Sequence, residues 1–222
     1  MPAPHAALVG ATGLVGGHCL QRLLVGDYYE AIVTLGRRPL TLQSIRHHHH
    51  VVDFTEAPRL REHLAVRDLF ACLGTTMKKA GSRQAFREVD FEYSLRVATA
   101  AREAGVEQLL VVSSLGADPS SAVFYSRVKG ELEEALSGLG FVALHVFRPS
   151  LLLGERTETR AAEGIGRTLS PVFSPLMVGP LKRYRPIHAK TVARAMVSVA
   201  QRRQTGVHVY ESDQIEELAA RA

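Results

Sequence analysis

An α/β fold with a parallel sheet covered by helices on both faces is predicted by three features of this 222-residue sequence. Short, continuously apolar segments alternate with longer segments of helical periodicity, a pattern typical of strands buried on both faces. A glycine-rich turn joins the first strand to the first helix, and irregular sequence rich in Pro and Gly begins only near residue 154. The length fits one full hydrophobic core, so we expect a single domain over residues 1–222 with an irregular insertion at about residues 154–186.

The alternation defines six strands and the helices between most of them. The strands are predicted at residues 6–10, 31–35, 51–54, 69–73, 109–113 and 142–147. The clearest helices are predicted at residues 15–24, 86–104, 125–136 and 188–201, before a last strand at 207–210 and a last helix at 214–220. Two βαβαβ halves wound in opposite directions give a Rossmann arrangement, in which the ligand crevice lies at the carboxyl ends of the strands. We expect the insertion to cover a substrate at this crevice as a small C-terminal region.

The turn after the first strand contains glycines at the spacing that a nucleotide pyrophosphate site requires. Gly10 permits a tight turn, Gly13 lets backbone N–H groups approach the phosphates, and Gly16 lets the following helix pack closely against the sheet. The dipole and the unpaired N–H groups of that helix favour an anion at its N-terminus. The spacing predicts a dinucleotide site, although an ordinary strand-to-helix turn would show the same glycines if nothing else in the chain agreed.

Two arginines follow the second predicted strand and indicate which dinucleotide is bound. An acidic side chain there would bind the adenosine ribose hydroxyls and select NAD, whereas arginine accommodates a 2′-phosphate. A guanidinium pairs with phosphate through two charge-assisted hydrogen bonds. Arg37 and Arg38 therefore predict NADP(H) as the cofactor, and the alternative is that both are solvated surface side chains.

A serine, a tyrosine and a lysine after the fifth predicted strand have the spacing used in carbonyl reduction. Tyr125 and Lys129 are four residues apart on a predicted helix and lie on the same face. The ammonium would lower the pKa of the tyrosine by favouring its phenolate, and it would also reach the nicotinamide ribose. A strand-end serine can hydrogen-bond the substrate oxygen. Ser113 and Ser114 are both candidates, and we favour Ser114 from its distance to the following loop; a plain helix face with a solvated lysine is the alternative for the Tyr–Lys pair alone.

A run of four histidines, His47–His50, precedes the third predicted strand. Consecutive histidines in an extended segment point to alternate faces, so four in a row cannot all bind one metal ion. We expect no functional metal there, only capture of Ni or Zn in vitro. Asp53, at the end of the third predicted strand, would accept a hydrogen bond from the adenine amine, or else it is a surface acid.

Composition argues against two other classes of protein. The net charge is +5, but the basic residues are scattered, aromatic residues make up 6% and tryptophan is absent, so stacking platforms for nucleic acid are scarce. No apolar stretch approaches the ~20 residues that a membrane helix needs. Neither nucleic acid nor a membrane is expected as a partner.

Cys19 and Cys72 lie in apolar segments and no signal peptide is apparent, so we expect reduced core cysteines in a cytoplasmic protein.

Taken together, these motifs resemble the short-chain dehydrogenase/reductase superfamily in its atypical branch, and more closely the Tat-interacting-protein family of NADPH-binding oxidoreductases. The resemblance covers nearly the whole chain. The matching segments are residues 10–16, 35–38, 72–76, 79–82, 113–118, 125–130 and 147–153, followed by Glu155, Arg156 and Arg160. The resemblance implies cofactor contacts from Thr12, Gly13, Leu14, Val15, Arg37, Arg38, Leu73, Gly74, Thr75, Tyr125 and Lys129, and places Leu152 and Arg160 near the nicotinamide or the phosphates.

The resemblance implies an NADPH-dependent oxidoreductase in which Tyr125 gives a proton to a small carbonyl substrate, Lys129 tunes the tyrosine, and Ser114 polarises the carbonyl. The sequence departs from many short-chain reductases in one respect, because it contains no asparagine to complete a proton relay. The family also has a reported regulatory side. The alternative is therefore an NADP(H)-binding regulatory or redox-sensing protein with little or no turnover, and a protein partner or a homodimer is compatible with either function.

Overall fold

The computed structural model describes residues 4–42, 44–154 and 179–222, in which strands and helices alternate. The strands are β1 (His5–Val9), β2 (Ala31–Gly36), β3 (His47–Val51), β4 (Asp68–Ala71), β5 (Gln108–Val112), β6 (Ala143–Arg148), β7 (Leu152–Leu153), β8 (Ile187–His188) and β9 (Gly206–Glu211). The α-helices are α1 (Leu14–Val25), α2 (Ala57–Glu62), α3 (Met77–Ala80), α4 (Arg83–Arg87), α5 (Ser94–Glu103), α6 (Phe124–Ser137), α7 (Ala189–Arg202) and α8 (Ser212–Ala220). A π-helical turn (Glu88–Tyr93) joins α4 to α5, and a 3-10 turn (Gly179–Tyr184) precedes β8.

Seven of these strands form one sheet in the order β3-β2-β1-β4-β5-β6-β9, and every neighbouring pair is parallel. The chain proceeds outward from β1 to β3 and then returns to place β4 on the other side of β1. This reversal opens a crevice at the carboxyl ends of β1 and β4, the place at which doubly wound sheets bind ligands. The predicted Rossmann fold is confirmed.

Helices cover both faces of the sheet because alternate side chains of each strand enter different hydrophobic layers. On one face, Leu8, Phe70 and Phe147 pack with buried side chains of α1, α7 and α8. On the other face, Val9 and Leu109 pack with buried side chains of α2, α5 and α6. These two layers fix the positions of α1 and α6. Helix α1 begins directly after the glycine loop, and the first turn of α6 carries Tyr125.

The third strand differs from the prediction. The histidine run itself forms β3, at residues 47–51 rather than 51–54, and it pairs with β2 from Ile32 opposite His47 to Gly36 opposite Val51. The prediction was wrong because it relied on an apolar segment as the signal of a strand. β3 lies at the edge of the sheet, where polar side chains are tolerated because one side of the strand faces no neighbour.

The histidines of β3 point to alternate sides, as a strand requires. His47 and His49 both hydrogen-bond to Thr34, whereas the ring of His50 stacks on that of His63 with centroids 3.8 Å apart. No group of three or more metal-ligating side chains that could hold an ion occurs among the residues that the structure describes.

The region after β6 is described only in part. Residues 155–178, which include most of the insertion expected at about 154–186, lie outside the described residues. β7 and β8 form a separate parallel pair, with Leu152 opposite Ile187 and Leu153 opposite His188. Within the described ranges, no helix combines the length and the apolar character needed to cross a membrane.

The buried imidazole of His145 predicts a loss of stability in mild acid. His145 lies in β6, is fully buried, and stacks on His208 of β9 with ring centroids 5.1 Å apart. Burial, followed by the neighbouring His208, lowers the pKa of His145 to about 4. Because the unfolded chain binds this proton with a pKa of about 6.5, the free energy of unfolding falls as the pH drops from about 6.5 to about 4.

The substitution His145→Gln removes this titration. Between pH 7 and pH 4 we expect the wild-type protein to lose about 3 kcal/mol more unfolding free energy than the variant, measured by urea unfolding. His208→Gln should reduce the acid loss only in part, because burial is the larger cause of the lowered pKa. Equal pH dependence in wild type and His145→Gln would contradict this account.

Candidate active site

The turn between β1 and α1 approaches neighbouring backbone so closely that only glycine fits at two of its positions. Gly10 has a φ of +82°, and a Cβ there would lie 2.3 Å from the carbonyl oxygen of Cys72, the residue directly after β4. A Cβ at Gly16 would lie 2.1 Å from the carbonyl oxygen of Gly10. Gly13 is less crowded, with 3.1 Å to the same oxygen. The glycines thus allow α1 to begin directly beneath the loop, as the spacing predicted.

The first amides of α1 have no hydrogen-bond partner within the helix. Gly13 is the N-cap and has no side chain with which to cap the helix, and the first helical hydrogen bond runs from the Gly17 N–H to the Gly13 carbonyl at 2.9 Å. The N–H groups of Leu14, Val15 and Gly16 precede this bond. Thr12 and Gly13 are exposed, so an anion can reach this turn.

Arg37 and Asp53 lie at the same edge of the sheet, after β2 and β3. The guanidinium of Arg37 lies 5.6 Å from the centre of the Tyr93 ring, within range of a cation–π contact. The Asp53 carboxylate accepts the Thr55 N–H at 2.8 Å. This backbone hydrogen bond, with smaller contributions from Arg96 and Arg37, lowers the pKa of Asp53. A guanidinium and an ionised carboxylate are thereby presented where the sequence predicted the adenosine end of a dinucleotide.

The remaining predicted cofactor residues fall at several places around the crevice. Leu73, Gly74 and Thr75 follow β4, and Leu152 lies in β7. Gly154, just after β7, approaches Leu14 so closely that a Cβ there would lie 2.8 Å from the Leu14 Cδ1. Arg38 is exposed beside Arg37. Arg156 and Arg160 lie outside the described residues.

Lys129 is buried against a carboxylate that the sequence analysis did not select. Its Nζ lies 2.7 Å from Oδ1 of Asp90 in the π-helical turn, and the two side chains are 5% and 1% exposed. Oδ2 of Asp90 accepts the N–H of Thr75 at 2.8 Å. Asp90 therefore joins the loop after β4, the π-helical turn and α6 at one point.

The charge of Lys129 is stabilised despite its burial. Burial alone disfavours the charged ammonium, but Asp90, the neighbouring Tyr125 and Glu133 outweigh it, so the pKa of Lys129 is raised above its usual value. Lys129 is therefore a cation at neutral pH. Tyr125 lies one turn earlier in α6, half-buried, with its ring 5.3 Å from that of Phe86.

The two serines after β5 have different surroundings. Ser113 is buried, and its hydroxyl donates to the carboxylate of Glu133, which Arg148 also holds through Nε at 3.0 Å. Ser114 is half-buried, and among the described residues its hydroxyl makes a long contact of 3.4 Å with the carbonyl oxygen of Leu115. The hydroxyl of Ser113 is thus committed to the interior, whereas that of Ser114 is not.

The loop after Ser114 packs directly on the first turns of α6. The Asp118 N–H donates to the carbonyl oxygen of Ser126 at 3.1 Å. A Cβ at Gly130 would lie 2.2 Å from the backbone nitrogen of Pro119, so glycine is required in this helix for the loop to dock. This contact holds the segment after β5 against the helix turn that carries Tyr125 and Lys129.

Sequence reasoning missed Asp90 and Tyr93, both of which are buried in the π-helical turn. One signal was present, because Asp90 shares a helix face with the apolar Phe86 and Val97, at spacings of four and seven residues. A carboxylate within an apolar face indicates a buried partner of opposite charge.

Curated relatives match most of the chain. Protein FMP52, mitochondrial, of Debaryomyces hansenii is 33% identical over 199 residues, covering 88% of this chain and 87% of the relative. Protein HTATIP2 of Rattus norvegicus is 37% identical over 195 residues, covering 86% and 78% respectively. These matches bear out the resemblance inferred from the sequence. They contradict the cytoplasmic expectation, because the fungal relatives are named mitochondrial. Cys19 is buried and Cys72 partly buried, and such packing does not identify a compartment.

Solved structures share the fold at low sequence identity. MoeE5 in complex with UDP-glucose and NAD superposes with a TM-score of 0.68 and 17% identity, covering 98% of this chain and 81% of that chain. UDP-glucose 4-epimerase of Thermotoga maritima with UDP-glucose has a TM-score of 0.68 and 13% identity, covering 98% and 82%. At this level of identity, the similarity supports the sheet topology and nothing finer.

The family comparison spans the same elements. The model of the NAD dependent epimerase/dehydratase family matches residues 6–211, from β1 to the end of β9. The matched range contains the glycine loop, Asp90 and the helix with Tyr125 and Lys129. Together with the sheet order and the relatives, this match shows that the chain belongs to the NAD dependent epimerase/dehydratase family of NAD(P)-binding Rossmann proteins.

Proposed function

We propose that the protein is an NADPH-dependent reductase of a small carbonyl compound. The observation that carries this proposal is the buried ion pair between Lys129 and Asp90, one helical turn from Tyr125. The pair keeps the Lys129 ammonium charged and shielded from water, one helical turn from the phenol of Tyr125. Such an arrangement serves proton transfer.

The residues at the crevice fit NADP(H). Gly10 and Gly16 let the loop pack closely on the backbone after β4 and on the start of α1, and the first amides of α1 have no partner within the helix, which suits a pyrophosphate. We assign the 2′-phosphate to Arg37 and Arg38, and the adenine amine to Asp53. The further cofactor contacts that we propose are Thr12, Gly13, Leu14, Val15, Leu73, Gly74, Thr75, Tyr125, Lys129, Leu152 and Arg160.

The side chains of this chain then have separate tasks. When bound, NADPH supplies a hydride to the carbonyl carbon. Ser114 donates a hydrogen bond to the carbonyl oxygen, on which negative charge develops. Tyr125 gives its hydroxyl proton to that oxygen, which completes the alcohol. Lys129 stabilises the phenolate that remains on Tyr125.

Asp90 acts as a positioning residue in this scheme. The chain offers no asparagine for a proton relay, and Asp90 instead holds the ammonium of Lys129 from a fixed point, because its second oxygen is bound to the Thr75 amide. The carboxylate keeps Lys129 charged and fixes the position of its ammonium, one helical turn from Tyr125.

Titration of NADPH and NADH tests the cofactor assignment. Nicotinamide fluorescence is suitable because the chain contains no tryptophan. We expect NADPH to bind at least about tenfold more tightly than NADH, since charge-assisted hydrogen bonds to a phosphate contribute about 1.5–3 kcal/mol. Arg37→Ala/Arg38→Ala should remove this preference and leave NADH binding nearly unchanged. Equal affinities in the wild type would reject NADP(H), and binding of neither would reject the proposed function.

Tyr125→Phe separates turnover from cofactor binding. With a panel of aldehydes and ketones, we expect NADPH oxidation to fall at least about 100-fold, because the proton donor is lost, while the Kd for NADPH changes little. Ser114→Ala should lower kcat. Ser113→Ala should leave kcat unchanged and lower the free energy of unfolding. If the wild type binds NADPH tightly but, like Tyr125→Phe, reduces no member of the panel, the result would instead support a regulatory protein.

Removal of one charge from the buried pair should cost more than removal of both. Asp90→Ala leaves the Lys129 ammonium buried without a counter-charge, so we expect a loss of about 3–5 kcal/mol in urea unfolding. Asp90→Asn retains an acceptor for Thr75 and should cost less. The double variant Asp90→Asn/Lys129→Met should be more stable than the sum of the single variants predicts. Additive losses would show that the two side chains do not act as a pair.

A further inference from the structure

A chain of hydrogen bonds leads from the histidines of β3 to the arginine turn after β2. The hydroxyl of Thr34, which is fully buried in β2, lies 2.8 Å from Nε2 of His47 and 2.8 Å from Nδ1 of His49. Nε2 of His49 lies 2.9 Å from the carbonyl oxygen of Arg38. Thr34 and His49 are paired across the two strands, so their side chains share one side of the sheet.

The chemistry of the groups fixes the direction of this chain. A carbonyl oxygen only accepts, so Nε2 of His49 must carry a proton and donate it to Arg38. With this proton on Nε2, Nδ1 of His49 accepts the hydroxyl proton of Thr34. The Thr34 oxygen is then left to accept an N–H from Nε2 of His47 at 2.8 Å, a shorter contact than the 3.4 Å between Nδ1 of His47 and the Leu42 carbonyl oxygen. Burial lowers the pKa of His47, which keeps that ring neutral and suited to donate a single proton. The Thr34 hydroxyl therefore selects the tautomer of His49 that binds Arg38.

The Arg38 carbonyl is the group by which this turn is held. The next residue is Pro39, which has no N–H, so the peptide after Arg38 can be tethered only through its carbonyl oxygen. The His49 ring also covers the backbone before the turn, since a Cβ at Gly36 would lie 3.2 Å from the His49 Cε1. His49 thus touches the turn on both sides of Arg37.

We propose that His49, oriented by Thr34, is a positioning residue that holds the Arg37–Arg38 turn in the shape that binds the adenosine 2′-phosphate. This inference rests on the proposed assignment of the 2′-phosphate to the two arginines. It gives the histidine run a role in cofactor selection that needs no metal ion. Because NADH lacks the 2′-phosphate, the role concerns the affinity for NADPH alone.

Matched pairs of variants test this role by titration of full-length protein with NADPH and, separately, with NADH. Thr34→Val keeps the volume and removes the hydroxyl, and Thr34→Ser keeps the hydroxyl. His49→Leu removes the donor, and His49→Gln keeps an N–H at the end of the side chain. We expect Thr34→Val and His49→Leu to raise the Kd for NADPH about fivefold, the usual effect of one lost hydrogen bond, with the Kd for NADH within about twofold. Thr34→Ser and His49→Gln should remain close to the wild type.

The outcomes distinguish this inference from the proposed function. If His49→Leu weakened the binding of NADPH and of NADH equally, His49 would have a merely structural role. Unchanged affinities of His49→Leu for both cofactors would also overturn the inference. Loss of NADPH preference in Arg37→Ala/Arg38→Ala together with full preference in His49→Leu would reject the role of His49 and leave the cofactor assignment intact. A wild type without NADPH preference would reject both. If Thr34→Val does not fold, the His49 pair decides, because that side chain lies on the edge strand.

Discussion

The buried ammonium of Lys129 is the constraint on which the arrangement of the candidate site depends. Removal of an ammonium from water costs several kcal/mol unless an opposite charge and hydrogen bonds replace its hydration. Asp90 supplies the charge at 2.7 Å and is itself held by the amide of Thr75. Three segments distant in sequence, the loop after β4, the π-helical turn and α6, must therefore meet at one point. Displacement of the π-helical turn or α6 would leave a charge buried without its partner, and displacement of the loop would remove the amide that holds Asp90.

The π-helical turn between α4 and α5 links the two ends of the candidate site. A π turn accommodates an extra residue in a helix and changes the direction in which the neighbouring side chains point. Asp90 and Tyr93 are both buried within it. Asp90 meets Lys129, while the ring of Tyr93 lies beneath the guanidinium of Arg37. The same irregular turn thus supports the residues proposed for proton transfer and a residue proposed for the 2′-phosphate.

The sequence allowed prediction of those parts of the site that depend on a single local element. The spacing of Gly10 and Gly16 reflects one turn, and the spacing of Tyr125 and Lys129 reflects one helix, so both could be interpreted without the fold. Asp90 was missed because its partner lies in another helix and only tertiary packing brings the two together. β3 was misplaced for a related reason: its histidines have no apolar pattern, and pairing with β2 makes them a strand.

The two serines after β5 show how burial decides which side chain is available for chemistry. Successive residues of an extended segment point to opposite sides. Ser113 turns toward α6, where its hydroxyl donates to Glu133, a carboxylate that Arg148 also binds. A hydroxyl whose proton is committed to a buried carboxylate cannot donate to a substrate. The hydroxyl of Ser114, which makes a long 3.4 Å contact with the Leu115 carbonyl oxygen, lies at the carboxyl end of β5, where a doubly wound sheet opens its crevice. The carboxylate that occupies Ser113 therefore leaves Ser114 as the donor in the proposed reaction.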